Sequence, residues 1–93
     1  MLVIAHHFVQ DTDAFWSKAQ QSMGLIPSNL KLQTVFPSTD LKTATCVWEG
    51  PNAEAVQDFV DKLFGNSVKN VCYEVNEEIA YGLPQKTREA VLS

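Results

Sequence analysis

His6 and His7 are the only histidines in the chain of 93 residues, and they stand side by side in an otherwise apolar run, Met1-Leu2-Val3-Ile4-Ala5-His6-His7-Phe8. Imidazole titrates near neutrality, ligates transition metals and serves as an acid or base. Neighbours on a strand point to opposite faces, so the pair cannot hold one metal from one extended segment. His6 shares parity with the bulky Leu2, Ile4 and Phe8, which places it on the face expected beneath helices, held by a hydrogen bond. His7 shares parity with Val3 and Ala5, which places it on the uncovered face. Glu74, with Cys72, is expected on that same uncovered face of a neighbouring strand. A histidine and a carboxylate there could hold a divalent transition metal or a polar ligand. His7 and Glu74 are therefore the candidate metal ligands. His6, His7, Trp48, Tyr73 and Glu74 form the wider candidate ligand-binding set. Each has a plainer reading beside it: a structural histidine, a solvated or salt-bridged glutamate, and aromatics that pack a core or an interface.

Other chemistry has less to stand on. Cys46 and Cys72 lack the close spacing of a metal-binding pair. Without an export signal before them they read as reduced thiols of a cytoplasmic protein. Glu49 is placed to favour the start of the second helix. No nucleophile elbow, phosphate loop, zinc signature or catalytic triad is present, so no catalytic residue can be named. The formal net charge of −4 comes without any cluster of Lys or Arg, which disfavours nucleic acid and anionic membranes as partners. A hydrophobic share of 45% with 19% charged residues is that of a globular domain, not a disordered tail.

The elements that must position these residues follow from periodicity. Residues 2–9 read as a strand. Asp11-Thr12-Asp13 starts a helix over about 12–23 that carries Phe15, Trp16, Ala19 and Met23 and stops at Gly24. Residues 30–35 and 41–49 make a hairpin about a turn at 36–40. Gly50-Pro51-Asn52 opens a second helix with the stripe Val56, Phe59, Val60 and Leu63, ended by Gly65-Asn66. Residues 68–76 alternate as a fourth strand, with Val71, Tyr73 and Val75 opposite Cys72, Glu74 and Asn76.

The order βαββαβ, with both helices on one sheet face and right-handed crossovers, is that of an α+β ferredoxin-like sandwich with strand order 4-1-3-2. One domain spans 1–84, followed by a tail, 85–93. In this order strand one separates Cys46 from Cys72 by roughly 10 Å, beyond disulfide reach. Apolar residues on both faces of strand one imply that the helix-free face is covered as well. Two sheets stacked face to face would do that, giving a homodimer of the dimeric α/β-barrel kind.

The stretch Cys46-Val47-Trp48-Glu49-Gly50-Pro51-Asn52-Ala53-Glu54-Ala55-Val56 resembles a pattern in a small bacterial family of unknown function. In that family a strand with a Cys-x-x-Glu-like run leads through a turn into a helix beginning Glu-Ala-Val. The resemblance covers about residues 30–84, and Cys46 and Glu49 match its strand motif. It implies a ferredoxin-like dimer, a cytoplasmic bacterial origin and nickel as a bound metal. The expected function is a small-ligand or divalent-metal-binding homodimer. The alternatives are a cofactor-independent monooxygenase- or isomerase-like enzyme and a plain dimerisation module.

Overall fold

Strand β1, Leu2–Val9, lies in the middle of the sheet and fixes the geometry of everything around it. The computed structural model describes residues 1–83. The expected tail at 85–93 lies outside the described residues. After β1, the Asp11 side chain accepts from the Ala14 N–H and opens helix α1, Thr12–Gln21. The helix does not stop at Gly24 in a left-handed conformation. It tightens into a 3-10 turn, Ser22–Leu25, in which the Ser22 hydroxyl donates to the Ala19 carbonyl. Gly24 is not among the positive-φ residues.

Strands β2, Lys31–Pro37, and β3, Thr43–Glu49, form the hairpin. Its turn begins later than composition suggests, because Phe36 and Pro37 still pair with Thr45 and Ala44. In the turn Asp40 Oδ1 accepts from the Ser38 hydroxyl and from the Lys42 N–H. Those two bonds, led by the one from Lys42, hold the Asp40 carboxyl below its ordinary range. Leu41 sits beside it at φ 64°, in the left-handed region. Asn52 caps helix α2, Ala53–Phe64, by accepting from the Ala55 N–H, and Gly65 ends it at φ 57°. Strand β4, Val68–Glu74, follows.

The four strands pair antiparallel in the order β2-β3-β1-β4. Counted from the other edge this is 4-1-3-2. Both helices pack on one face, where Phe15 of α1 and Val56, Val60 and Phe64 of α2 meet Val3, Ala5, Cys46 and Trp48. The result is a two-layer α+β arrangement consistent with a ferredoxin-like fold. Cys46 and Cys72 both pair with Ala5, one from each side, and both are free thiols.

The assignment of faces is the reverse of that expected. Val3, Ala5 and His7 of β1 lie beneath the helices, while Ile4, His6 and Phe8 look out from the open face. The rule that bulk marks the buried side fails here along most of β1. The helices and β3 bring Phe15, Phe64 and Trp48 to the interlayer space, and β1 sends Val3, Ala5 and His7 to meet them. The same reversal holds on β4, where Val68, Asn70 and Cys72 face the helices and Val71 and Tyr73 face outward. On β2 a bulge between Leu32 and Thr34 breaks the alternation, so that Leu32 pairs with Trp48 but Val35 pairs with Cys46.

Candidate functional site

His7 is only 1% exposed and packs against the rings of Phe15 and Phe64 at centroid distances of 5.4 and 6.0 Å. A buried imidazole needs partners for its nitrogens. His7 Nδ1 lies 2.6 Å from Asn70 Oδ1, across the β1–β4 ladder where the two residues pair directly. Asn70 Nδ2 donates in turn to Asp61 Oδ1 of α2 at 2.9 Å. This chain of contacts fixes the tautomer. A carboxylate only accepts, so the Asn70 amide must turn its NH2 toward Asp61 and its carbonyl oxygen toward His7. His7 Nδ1 therefore carries the proton and donates to Asn70. Burial, the leading influence, lowers the His7 pKa below its ordinary value; the Asn70 bond opposes this and the neighbouring His6 adds to it. At neutral pH the ring is uncharged, and Nε2 holds a lone pair.

Gln57 of α2 locks the far side of the relay. Its Nε2 donates to both Asp61 oxygens and to the Asn70 carbonyl, and its Oε1 accepts from the Cys72 N–H. Asn70 and Cys72 are edge positions of the sheet, and the glutamine amide gives them the bonds that a fifth strand would have made.

His7 lines a cavity of about 90 Å³ between the sheet and the helices. Phe15, Trp16 and Phe64 form much of the helix side, Leu32, Val35 and Trp48 much of the strand side, and Met23 the rim. Against this apolar surround two polar features stand out. One is His7, whose Nε2 has no hydrogen-bond partner among the described residues. The other is Trp48, which is 4% exposed; its Nε1–H has no partner but presents almost no accessible surface to the cavity. Ser22 also lines the space, but its hydroxyl hydrogen is committed to Ala19. Cys46 lines it too; burial pushes that thiol up to about 12, so at neutral pH it is protonated and a poor nucleophile. Cys72 is pushed up to about 11 for the same reason, with Asp61 adding to it.

The other residues singled out from the sequence fall elsewhere. His6 is on the open face, its Nδ1 3.0 Å from the Thr45 hydroxyl and its ring 4.9 Å from that of Phe8. Tyr73 is exposed on the same face. Glu74 does not share an open face with His7. It accepts from the Ala53 N–H and so supplies the negative charge at the start of α2 that was expected of Glu49. Glu49 instead pairs with the Met1 amine at 2.9 Å. His7 and Glu74 stand on one strand face, but Glu74 pairs with Val3, four residues from His7, about 13 Å along the strand. The pair does not fit a nickel ion or any other shared metal. Among the described residues no three His, Cys, Asp or Glu side chains are grouped to hold one.

Sequence reasoning found His7 and Trp48 but missed Asn70, Asp61 and Gln57. The signal was there: an Asn in a strand of alternating apolar residues is a buried polar group that needs an explanation. The chain matches no family model, no curated protein and no solved structure. No helix among the described residues is long and apolar enough to cross a membrane.

Proposed function

We propose that this chain binds a small, mostly apolar molecule in the cavity between the helices and the sheet, with His7 Nε2 accepting a hydrogen bond from it. One observation carries the reading: the Asp61–Asn70 relay fixes an uncharged imidazole with its lone pair unused, in a cavity otherwise lined almost wholly by apolar side chains. Ligand sites commonly have this composition, an apolar wall with one or two placed polar groups. An engineered apolar cavity of ~150 Å³ holds benzene. A volume of about 90 Å³ is smaller, so a ring-sized ligand enters by displacing the exposed Met23 side chain at the rim. Nitrogen-detected NMR of the histidine side chains tests this directly. The Nδ1-protonated tautomer is expected for His7, and p-cresol is expected to shift its Nε2 resonance and, by titration calorimetry, to bind about tenfold more weakly to His7→Phe. The opposite tautomer, or an Nε2 signal indifferent to saturating p-cresol, overturns the proposal.

The runner-up is a cofactor-independent enzyme in which the same Nε2 takes a proton from the bound molecule. It shares the site and differs in outcome, since a binding protein returns its ligand unchanged after long incubation.

A second copy is the proposed cover for the open sheet face. Phe36 is 62% exposed and Tyr73 56% exposed there, next to Phe8 and Val71. Several large apolar side chains exposed on one sheet face, here set around His6 and Thr45, favour association. Sedimentation at tens of micromolar is expected to give a dimer that Phe36→Asp with Tyr73→Asp reduces to a monomer. A wild-type monomer at that concentration removes the idea.

A further inference from the structure

The ligand's chemical class follows from which hydrogen-bonding atoms the cavity leaves free, an inference that rests on the binding function proposed above. The two nitrogens of an imidazole point to opposite sides of the ring. With Nδ1 of His7 committed to Asn70 on β4, Nε2 points back across β1 toward β3, where Ala44 and Cys46 line the cavity. In the uncharged ring that atom can only accept. The strong donors among the lining residues are used or shielded. The Trp16 Nε1–H reaches the Leu41 carbonyl at 3.4 Å, the Ser22 hydroxyl donates to Ala19, and the Trp48 Nε1–H presents almost no accessible surface. What remains is the Cys46 thiol, a weak donor. No charged side chain lines the space among the described residues, and the charge that the network does carry is that of the Asp61 carboxylate, on the far side of Asn70.

We infer that the ligand is a neutral phenol, bound un-ionised, with its hydroxyl donating to His7 Nε2 and its ring among Phe15, Trp16 and Phe64. A carboxylate or a phenolate would press negative charge against a lone pair and lose its hydration among apolar walls. An ammonium could donate to Nε2, but it would bury its charge in the same walls. A ketone or an ether brings an acceptor where no strong donor is free. Among neutral hydroxyl compounds, a phenol is a stronger donor and a weaker acceptor than an aliphatic alcohol, because the oxygen lone pair is drawn into the ring. It therefore suits a site that accepts and does not donate. The aromatic side chains of the wall favour a ring beside them. Discrimination by a placed polar group exceeds what shape alone gives.

Five small aromatics test this on the intact chain at pH 8: p-cresol, its isomer benzyl alcohol, toluene, benzoate and benzylammonium. p-Cresol has the ring and hydroxyl of a tyrosine side chain, titrates at about 10 and is neutral at that pH. Affinity is read by titration calorimetry, and the His7 Nε2 resonance by nitrogen-detected NMR. p-Cresol is expected to bind about tenfold more tightly than toluene, the gain of one hydrogen bond, and severalfold more tightly than benzyl alcohol. Benzoate and benzylammonium are expected to bind on the order of a hundredfold more weakly than p-cresol. In His7→Phe the advantage of p-cresol over toluene disappears. Should that variant fail to fold, the unaltered chain decides alone, since p-cresol moves its Nε2 resonance and toluene does not. If p-cresol moves His7 but any of the other four binds as tightly, the neutral-phenol class is wrong and the binding function stands. If no probe moves Nε2, both the ligand class and the binding function fall.

Discussion

Replacing His7 by Phe is expected to abolish a specific pH dependence of stability. In the unfolded chain His7 titrates near 6.5. In the folded chain burial lowers its pKa, so below pH 6.5 the unfolded state binds the proton more readily. The stability that the neutral ring contributes is thus whole above 6.5 and is lost as the pH falls toward the folded-state pKa. The slope cannot exceed ~1.4 kcal/mol per pH unit for one proton. Between pH 8 and pH 5 the loss from His7 therefore has a ceiling of about 2 kcal/mol. Urea unfolding at half-unit steps over this range gives the wild-type curve. Carboxylates contribute to both proteins, and the difference between wild type and His7→Phe isolates the imidazole. That difference should be flat above pH 7 and fall below it. A constant difference from pH 8 to 5, or one that favours wild type increasingly at low pH, refutes the neutral buried ring and with it the acceptor role of Nε2.

Asn70→Ala should cost about 2–3 kcal/mol in urea unfolding, because it leaves the His7 Nδ1–H buried without an acceptor. The double variant His7→Phe with Asn70→Leu removes both halves of that bond and should be less destabilised than the sum of the single changes by at least ~1 kcal/mol; strict additivity would contradict the pairing. Gln57→Ala should destabilise by roughly 1–2 kcal/mol, and the Cys72 amide, which Gln57 Oε1 holds, should exchange its hydrogen markedly faster. Leu41→Gly should raise the urea midpoint, with a gain of about 1 kcal/mol and an unchanged slope, since φ 64° is strained for leucine and free for glycine.

Local patterns in the sequence carry most of the architecture. The Asp11 and Asn52 caps, the Val56–Val60 stripe and Gly65 are short-range signals with short-range causes, and each element lies close to its expected place. The strand order follows from chirality and from the helices sharing one side, neither of which needs atomic detail. Which face of β1 meets those helices is another matter. It depends on what Phe15, Phe64 and Trp48, from three distant segments, present to the strand, which no window of sequence contains. Bulk on β1 alone pointed to Ile4 and Phe8, and the packing chose Val3 and Ala5. The site moved with the face. His7 was legible as a candidate from its chemistry, but its partners were not, because Asn70, Asp61 and Gln57 become a unit only through the β1–β4 register and the crossing of α2 over the edge strand. The bulge in β2 was likewise invisible, being a property of a pairing and not of one strand.

The burial of His7 and Asn70 is the feature that packing alone does not explain. At two facing positions in a sheet interior, an apolar pair of similar volume would satisfy the core without any of the bonds that now have to be made. The chain instead carries a histidine, an asparagine, an aspartate and a glutamine in fixed orientations. A purely stabilising network would close on itself, with every strong donor and acceptor used. This one is closed at the solvent side, where Asp61 and Gln57 answer each other, and open at the inner side, where His7 Nε2 ends beside apolar walls. That open end, an unpaired acceptor beside an apolar cavity, is the atom that the ligand proposed above would partner.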